Sequence, residues 1–99
     1  MKFAALDPLL HSELRLAVMS ILISVEEADF VYLREETGAT SGNLSVQIDK
    51  LSEAGYIDVE RGFTGKRTRT VCRVTQKGVC AFQAYVEALQ RYLNPPKEE

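Results

Sequence analysis

Apolar residues recur along this chain at two different periods, and the switches between them divide it into elements. From Leu10, the residues Leu14, Ala17, Val18, Ile21 and Leu22 follow at helical steps, which predicts a first helix with one buried face. Asp7-Pro8 offers that helix an N-cap and a first-turn proline; Ser12 is a rival cap that would split off a short leading turn. Glu26 to Ala28 reads as a loop or a very short strand. Asp29 then caps a short second helix, with Phe30 and Leu33 inward and Thr37-Gly38 as its stop. After a tight turn, Thr40 to Gly55 carries Leu44, Ile48 and Leu51 at steps of four and three, a stripe that must be buried. Ser41, Gly42, Asn43, Val46 and Lys50 fall elsewhere on its wheel.

The period then changes to two. Tyr56 to Glu60 alternates as a strand, Gly62 to Arg67 has the glycines and basic residues of an exposed hairpin tip, and Arg69 to Thr75 returns as a second strand. Ile57, Val59, Cys72 and Val74 would face the helices, since a two-stranded hairpin is not stable alone, and Val71 and Arg73 would face away. Thr75 caps a last helix, Gln76 to Leu93, which Asn94-Pro95-Pro96 ends before Lys97-Glu98-Glu99 trails into solvent. Its residues Val79, Phe82, Val86, Leu89 and Leu93 step by three, four, three and four, as in a heptad seam. That stripe can cover the domain's own core. Tyr85, Tyr92, Ala81, Ala84, Ala88 and Cys80 widen the apolar surface beyond that need, so a homodimer joined through this helix is expected.

A chain of 99 residues supports one core, so residues 1–99 are read as a single domain, with 76–93 as dimerisation helix and 94–99 as tail. Charge sharpens the picture more than composition does. From Arg61 to Gly78 there are six basic residues (Arg61, Lys66, Arg67, Arg69, Arg73, Lys77) and no acidic one. Against totals of 12 basic and 14 acidic, that leaves +6 on this segment and -8 on the rest. Such asymmetry marks a directed electrostatic surface rather than a uniformly basic protein. Cys72 and Cys80 form no CxxC pair and only one histidine is present, so neither a zinc site nor a disulfide framework is indicated, and both thiols are expected buried and reduced. The lone His11 fits a capping or surface role. The apolar run Phe3 to Leu6 is too short for a secretory signal, and Ala17 to Val25, broken by Ser20 and Ser24, is too short to span a bilayer, so the expected location is the cytoplasm, with no membrane partner.

Two short helices joined by a glycine-containing turn make a helix-turn-helix, and the hairpin after them makes a wing. The expected fold class is α+β, mainly α: a three-helix core, a two-stranded wing hairpin and a long C-terminal helix. In this order the elements resemble small bacterial and archaeal winged helix-turn-helix regulators related to the MarR superfamily. The resemblance runs from about Leu6 to Leu93. It is carried by His11-Ser12 with Arg15, Phe30-x-x-Leu33, Thr37-Gly38, Ser41-Gly42-Asn43-Leu44-Ser45 and Leu51-x-x-Ala54-Gly55-Tyr56, then by Gly62-Phe63-x-Gly65-Lys66-Arg67-x-Arg69-Thr70 and Val74-Thr75-x-x-Gly78. It implies a homodimer joined by terminal helices on a roughly palindromic operator. Relatives often carry histidine or arginine where this recognition helix has Val46 and Gln47.

The residues define the expected division of labour on double-stranded DNA. Asn43 or Gln47 can pair bidentately with adenine N6 and N7 in the major groove, and Val46 can meet a thymine methyl. Ser41, Ser45 and Lys50 suit phosphates, while Lys66, Arg67 and Arg69 of the wing suit the backbone or the neighbouring minor groove. The competing reading is a winged-helix docking module without DNA binding, which the acidic bulk allows and the basic wing disfavours. An enzyme is not indicated: there is no activated nucleophile, no metal set and no phosphate-cradling glycine loop, and no cofactor is expected. A crevice near Phe82, Tyr85 and Tyr92 would suit an unknown small-molecule effector, and Cys72 or Cys80 an oxidant; the sequence does not separate these from plain packing.

Overall fold

Gly78 is the most closely packed of the glycines, and the fold is easiest to follow outward from it. The computed structural model describes residues 3–95. An added Cβ at Gly78 would lie 2.1 Å from the carbonyl oxygen of Tyr56 and 3.1 Å from Met19 Cε. Only hydrogen fits there, so the C-terminal helix, the chain leaving the recognition helix and the first helix meet at one crossing. Thr75 locks it: its hydroxyl donates to the Gly55 carbonyl at 2.6 Å and accepts from the Gly78 amide at 3.0 Å, capping one helix while tying it to the end of another.

The elements in order are α1 (Glu13–Val25), β1 (Glu27–Asp29), α2 (Phe30–Thr37), α3 (Ser41–Glu53), β2 (Ile57–Thr64), β3 (Arg67–Val74) and α4 (Gln76–Leu93). The helices follow their predicted caps. Asp29 accepts from the Tyr32 amide, Thr40 from that of Asn43, and Gly38 and Gly55 adopt φ of +71° and +80° to end α2 and turn out of α3. The start of α1 follows the rival reading. Asp7 Oδ1 accepts from the Leu9 amide at 2.9 Å and its carbonyl closes a turn onto Leu10 and His11, so Asp7-Pro8 caps a separate turn and α1 begins after Ser12.

The core is built from Leu10, Val18, Met19, Leu22, Leu33, Leu44, Ile48, Leu51, Ile57 and Cys72, with Tyr85 entering from α4. Met19 is fully buried although the predicted stripe ran beside it, because α4 crosses α1 at that turn.

Two strand features correct the sequence reading, and a third decides between its alternatives of loop and very short strand after α1. The sheet has three strands, ordered β1-β3-β2, because the short segment after α1 pairs antiparallel with β3 and places Ala28 opposite Cys72. Glu26, at φ 70°, makes the sharp exit from α1 that permits this. The wing strands are longer than predicted: they pair from Ile57–Val74 to Thr64–Arg67, so Gly62, Phe63 and Thr64 belong to β2 and the tip is only Gly65-Lys66. Val71, placed on the outward face, is buried beneath the ion pairs that Arg69 and Arg73 make across it. Pro96 and Lys97 to Glu99, read as helix stop and tail, lie outside the described residues.

Candidate nucleic-acid interface

Burial of Leu44, Ile48 and Leu51 fixes the rotation of α3 and leaves Ser41, Gly42, Asn43, Ser45, Val46, Asp49 and Lys50 exposed together. Val46 is a large apolar side chain that is 50% exposed. Two further basic residues complete this face: Arg34, which the sequence patterns did not single out, and Arg15, which entered only through the resemblance and with no role on this helix. The Arg34 guanidinium, from the last turn of α2, donates to Ser41 Oγ at 3.3 Å. Arg15 of α1 donates from Nε to the Leu9 carbonyl at 2.6 Å and from Nη1 to Gln47 Oε1, and Gln47 Nε2 donates to Asn43 Oδ1 at 3.0 Å. Asn43 and Gln47 are therefore one linked pair, and Gln47 is half-buried. Nothing in a linear pattern signals this, since Arg15 and Gln47 are 32 positions apart.

The basic segment is less uniform in space than along the chain. Arg61 pairs with Asp49 of α3 at 3.4 Å, which neutralises the carboxylate nearest Val46 and Lys50; the other exposed carboxylate of that helix, Glu53, lies at its C-terminal end. Arg69 pairs with Asp29 at 3.6 Å, and Arg73 bridges Glu60 at 2.9 Å and Glu27 at 3.6 Å. Glu60 and Glu27 hold the Arg73 guanidinium still more firmly in its charged form. Lys77 lies over the Tyr56 ring, 5.8 Å from its centre. Among the described residues, Lys66 and Arg67 make no ion pair, and they sit at the hairpin tip beside Phe63, which is 77% exposed. The tip therefore presents two free cations and one aromatic ring.

On α4 the expected seam divides. Phe82 and Leu89 pack on the protomer's own core, and Tyr85, taken as surplus apolar surface, is core as well, its hydroxyl 2.9 Å from His11 Nδ1. Val79 and Val86 are half-buried and Leu93 is 70% exposed, which leaves an outer row at seven-residue spacing. Tyr92 donates to the Ala4 carbonyl at 3.0 Å and its ring lies 4.9 Å from that of Phe3, so the aromatic groups considered for an effector crevice are already engaged. One thiol follows the expectation of burial and the other does not. Cys72 is buried, and desolvation pushes it up to about 11 despite the nearby Arg61 charge, whereas Cys80 is exposed on α4. Among the described residues, no helix is long and apolar enough to cross a membrane.

A helix-turn-helix whose second helix is polar on its outer face, followed by a cation-tipped hairpin, is the construction of a winged helix DNA-binding domain. The chain belongs to the winged helix DNA-binding domain family, whose pattern it matches over residues 14–93. It is 33% identical to an uncharacterized protein of Methanocaldococcus jannaschii over 81 residues, covering 81% of this chain and 88% of that one. In structure it is similar to a transcriptional regulator homologue from Pyrococcus horikoshii OT3, with a TM-score of 0.80 at 24% identity, covering 87% of this chain and 85% of that one. It shares the same fold with an Escherichia coli MarR solved with operator DNA, at a TM-score of 0.69 and 18% identity, covering 88% of this chain and 67% of that one.

Proposed function

We propose that the protein is a transcriptional regulator that binds double-stranded DNA sequence-specifically as a homodimer. In this reading α3 enters the major groove with Asn43, Val46 and Gln47 toward the bases and Ser41, Ser45 and Lys50 toward phosphates. Lys66 and Arg67 of the wing, with Arg69 behind them, follow the backbone or the adjoining minor groove. The observation that carries it is the pairing of an α3 face cleared of net negative charge by Arg61 with a wing tip whose cations are free. Operator DNA bound by the E. coli MarR with the same fold supports the same use of the fold here.

The homodimer rests on α4. A radius of gyration of 15.5 Å exceeds the roughly 13 Å of a compact 100-residue domain, and the row Val79, Val86, Leu93 is apolar surface that α4 leaves partly or wholly uncovered, with Phe82 and Leu89 beneath it. Each protomer would then take one half-site, with centres about 34 Å apart along one side of the duplex. Selection of bound sequences from a random duplex pool tests the whole reading. A recovered palindrome with half-sites one helical turn apart is expected; no binding to any duplex at low salt would refute it in favour of a docking module.

A further inference from the structure

The Arg15–Gln47–Asn43 chain has a direction that its chemistry dictates. A guanidinium has donors and no acceptor, so the group of Gln47 facing Arg15 must be its oxygen. The amide nitrogen of Gln47 then faces Asn43, and because that nitrogen only donates, Asn43 must turn its own oxygen inward to accept. What remains of Asn43 for an approaching molecule is its NH2 group. Asn43 is exposed and Gln47 half-buried, so the outward member of the pair presents its donors first.

We infer that Arg15 is a positioning residue for base specificity, which it sets by polarising this amide pair from behind the recognition helix. The inference rests on the DNA-binding reading given above and deepens it. A free asparagine matches adenine, whose N7 accepts while its N6 donates, because the amide offers one group of each kind. With its oxygen turned toward Gln47, Asn43 holds its acceptor away from adenine N6 and leads with its NH2 group. Its NH2 group matches an edge made of two acceptors, N7 and O6 of guanine. The base facing Asn43 is therefore guanine, in place of the adenine that the sequence pattern alone suggested.

The chain is held before DNA arrives. Arg15 Nε is anchored on the Leu9 carbonyl at 2.6 Å, in the turn that Asp7 closes, and Asp7 in turn accepts from Tyr56 Oη at 2.5 Å. Reversing Gln47 would set its NH2 group against the guanidinium, donor against donor. The orientation is thus preorganised by elements outside the helix that uses it.

The test compares base preferences of wild type, Arg15→Met, Gln47→Met and Asn43→Ala by selection from one random duplex pool, with thermal denaturation confirming that each variant folds. Asn43→Ala identifies the half-site position that Asn43 reads. At that position wild type is expected to prefer guanine over adenine by on the order of tenfold, and both relay variants to bring that ratio near one or below, with other positions retained. Adenine preferred by wild type, or a guanine preference that survives both Arg15→Met and Gln47→Met, overturns the inference while leaving DNA binding intact. Absence of any bound duplex for wild type overturns the underlying reading and the inference with it. Side-chain amide NMR of the free protein gives a readout without DNA. The Gln47 NH2 protons should exchange more slowly than those of Asn43 and lose that protection in Arg15→Met; equal, rapid exchange in wild type overturns the relay.

Discussion

Gly78→Ala is the sharpest probe of the fold. The new methyl would fall 2.1 Å from the Tyr56 carbonyl oxygen and 3.0 Å from its carbon, where unstrained carbon contacts lie at about 3.5 Å. The obstacle is backbone, not a flexible side-chain end, so α4 must withdraw by about 1 Å. Withdrawal loosens the bonds from Thr75 to Gly55 and Gly78, which depend on that approach. Overpacking of this kind costs up to about 3 kcal/mol, and loss of a helix cap about 1 kcal/mol more. Alanine's helix propensity returns at most about 1 kcal/mol. The net is a loss of about 3 kcal/mol, or a Tm lower by roughly 10–20 °C for a domain of this size. The control is Gly42→Ala, also in the first turn of a helix, where an added Cβ meets nothing within 4 Å and φ is not positive. Its Tm should hold or rise by a few degrees. Circular dichroism melts of the three proteins decide it: a Gly78→Ala Tm equal to wild type would refute the steric argument.

Three further outcomes follow from the site. Replacing Lys66 or Arg67 with alanine should each reduce the slope of log K against log salt by about one, whereas Arg73→Ala, whose charge is already balanced by Glu60 and Glu27, should leave it nearly unchanged. In the native protein at pH 7–8 a maleimide should modify Cys80 and spare Cys72; equal labelling of both thiols would contradict the burial of Cys72. Alkali should destabilise the fold. Cys72 is pushed from 9.0 up to about 11 by burial, and Tyr56 from 10.0 to about 12, chiefly by its hydrogen bond to Asp7. Both pKa values are raised on folding, so their contributions are complete below pH 9 and drain away as pH rises toward 11–12, on the order of 3 kcal/mol for Cys72 alone. Denaturant midpoints should therefore fall across that window, and a Cys72→Ala variant should lose less than wild type over it.

The helices, their caps and the wing were legible because each rests on a local rule. Asp29, Thr40 and Thr75 cap as their side chains dictate, and Leu44, Ile48 and Leu51 fix which face of α3 is outward. What a linear pattern could not carry depends on distant partners. Val71 looks outward by alternation and is covered by Arg69 and Arg73 reaching to Asp29, Glu27 and Glu60. Tyr85 looks like surplus and is core because α4 comes close at Gly78. The same limit applies to the amides: Asn43 and Gln47 read as two independent groups until Arg15 gives them a shared orientation.

The division of charge also bears on how many protomers must act together. Of the six basic residues from Arg61 to Lys77, three face carboxylates, and moving such an arginine to a phosphate strands its carboxylate beside the DNA, so it adds little net attraction. Lys77 is held over Tyr56. Arg15 and Arg34 face no carboxylate but are held by Leu9, Gln47 and Ser41; counting only the interface cations whose side chains have no partner among the described residues, Lys50, Lys66 and Arg67, gives a salt slope of about -2.7 for one protomer and about -5 for two. A quadrupling of salt from 50 to 200 mM then weakens one protomer by roughly 40-fold and a pair by about 10³-fold. A slope near -5 that drops to near -3 in a Leu93→Asp variant would tie tight binding to the α4 contact. A wild-type slope steeper than about -9, beyond what Arg15 and Arg34 could add, would mean that Arg61, Arg69 and Arg73 leave their carboxylates on binding, and the account of a wing with only two working cations would have to be abandoned.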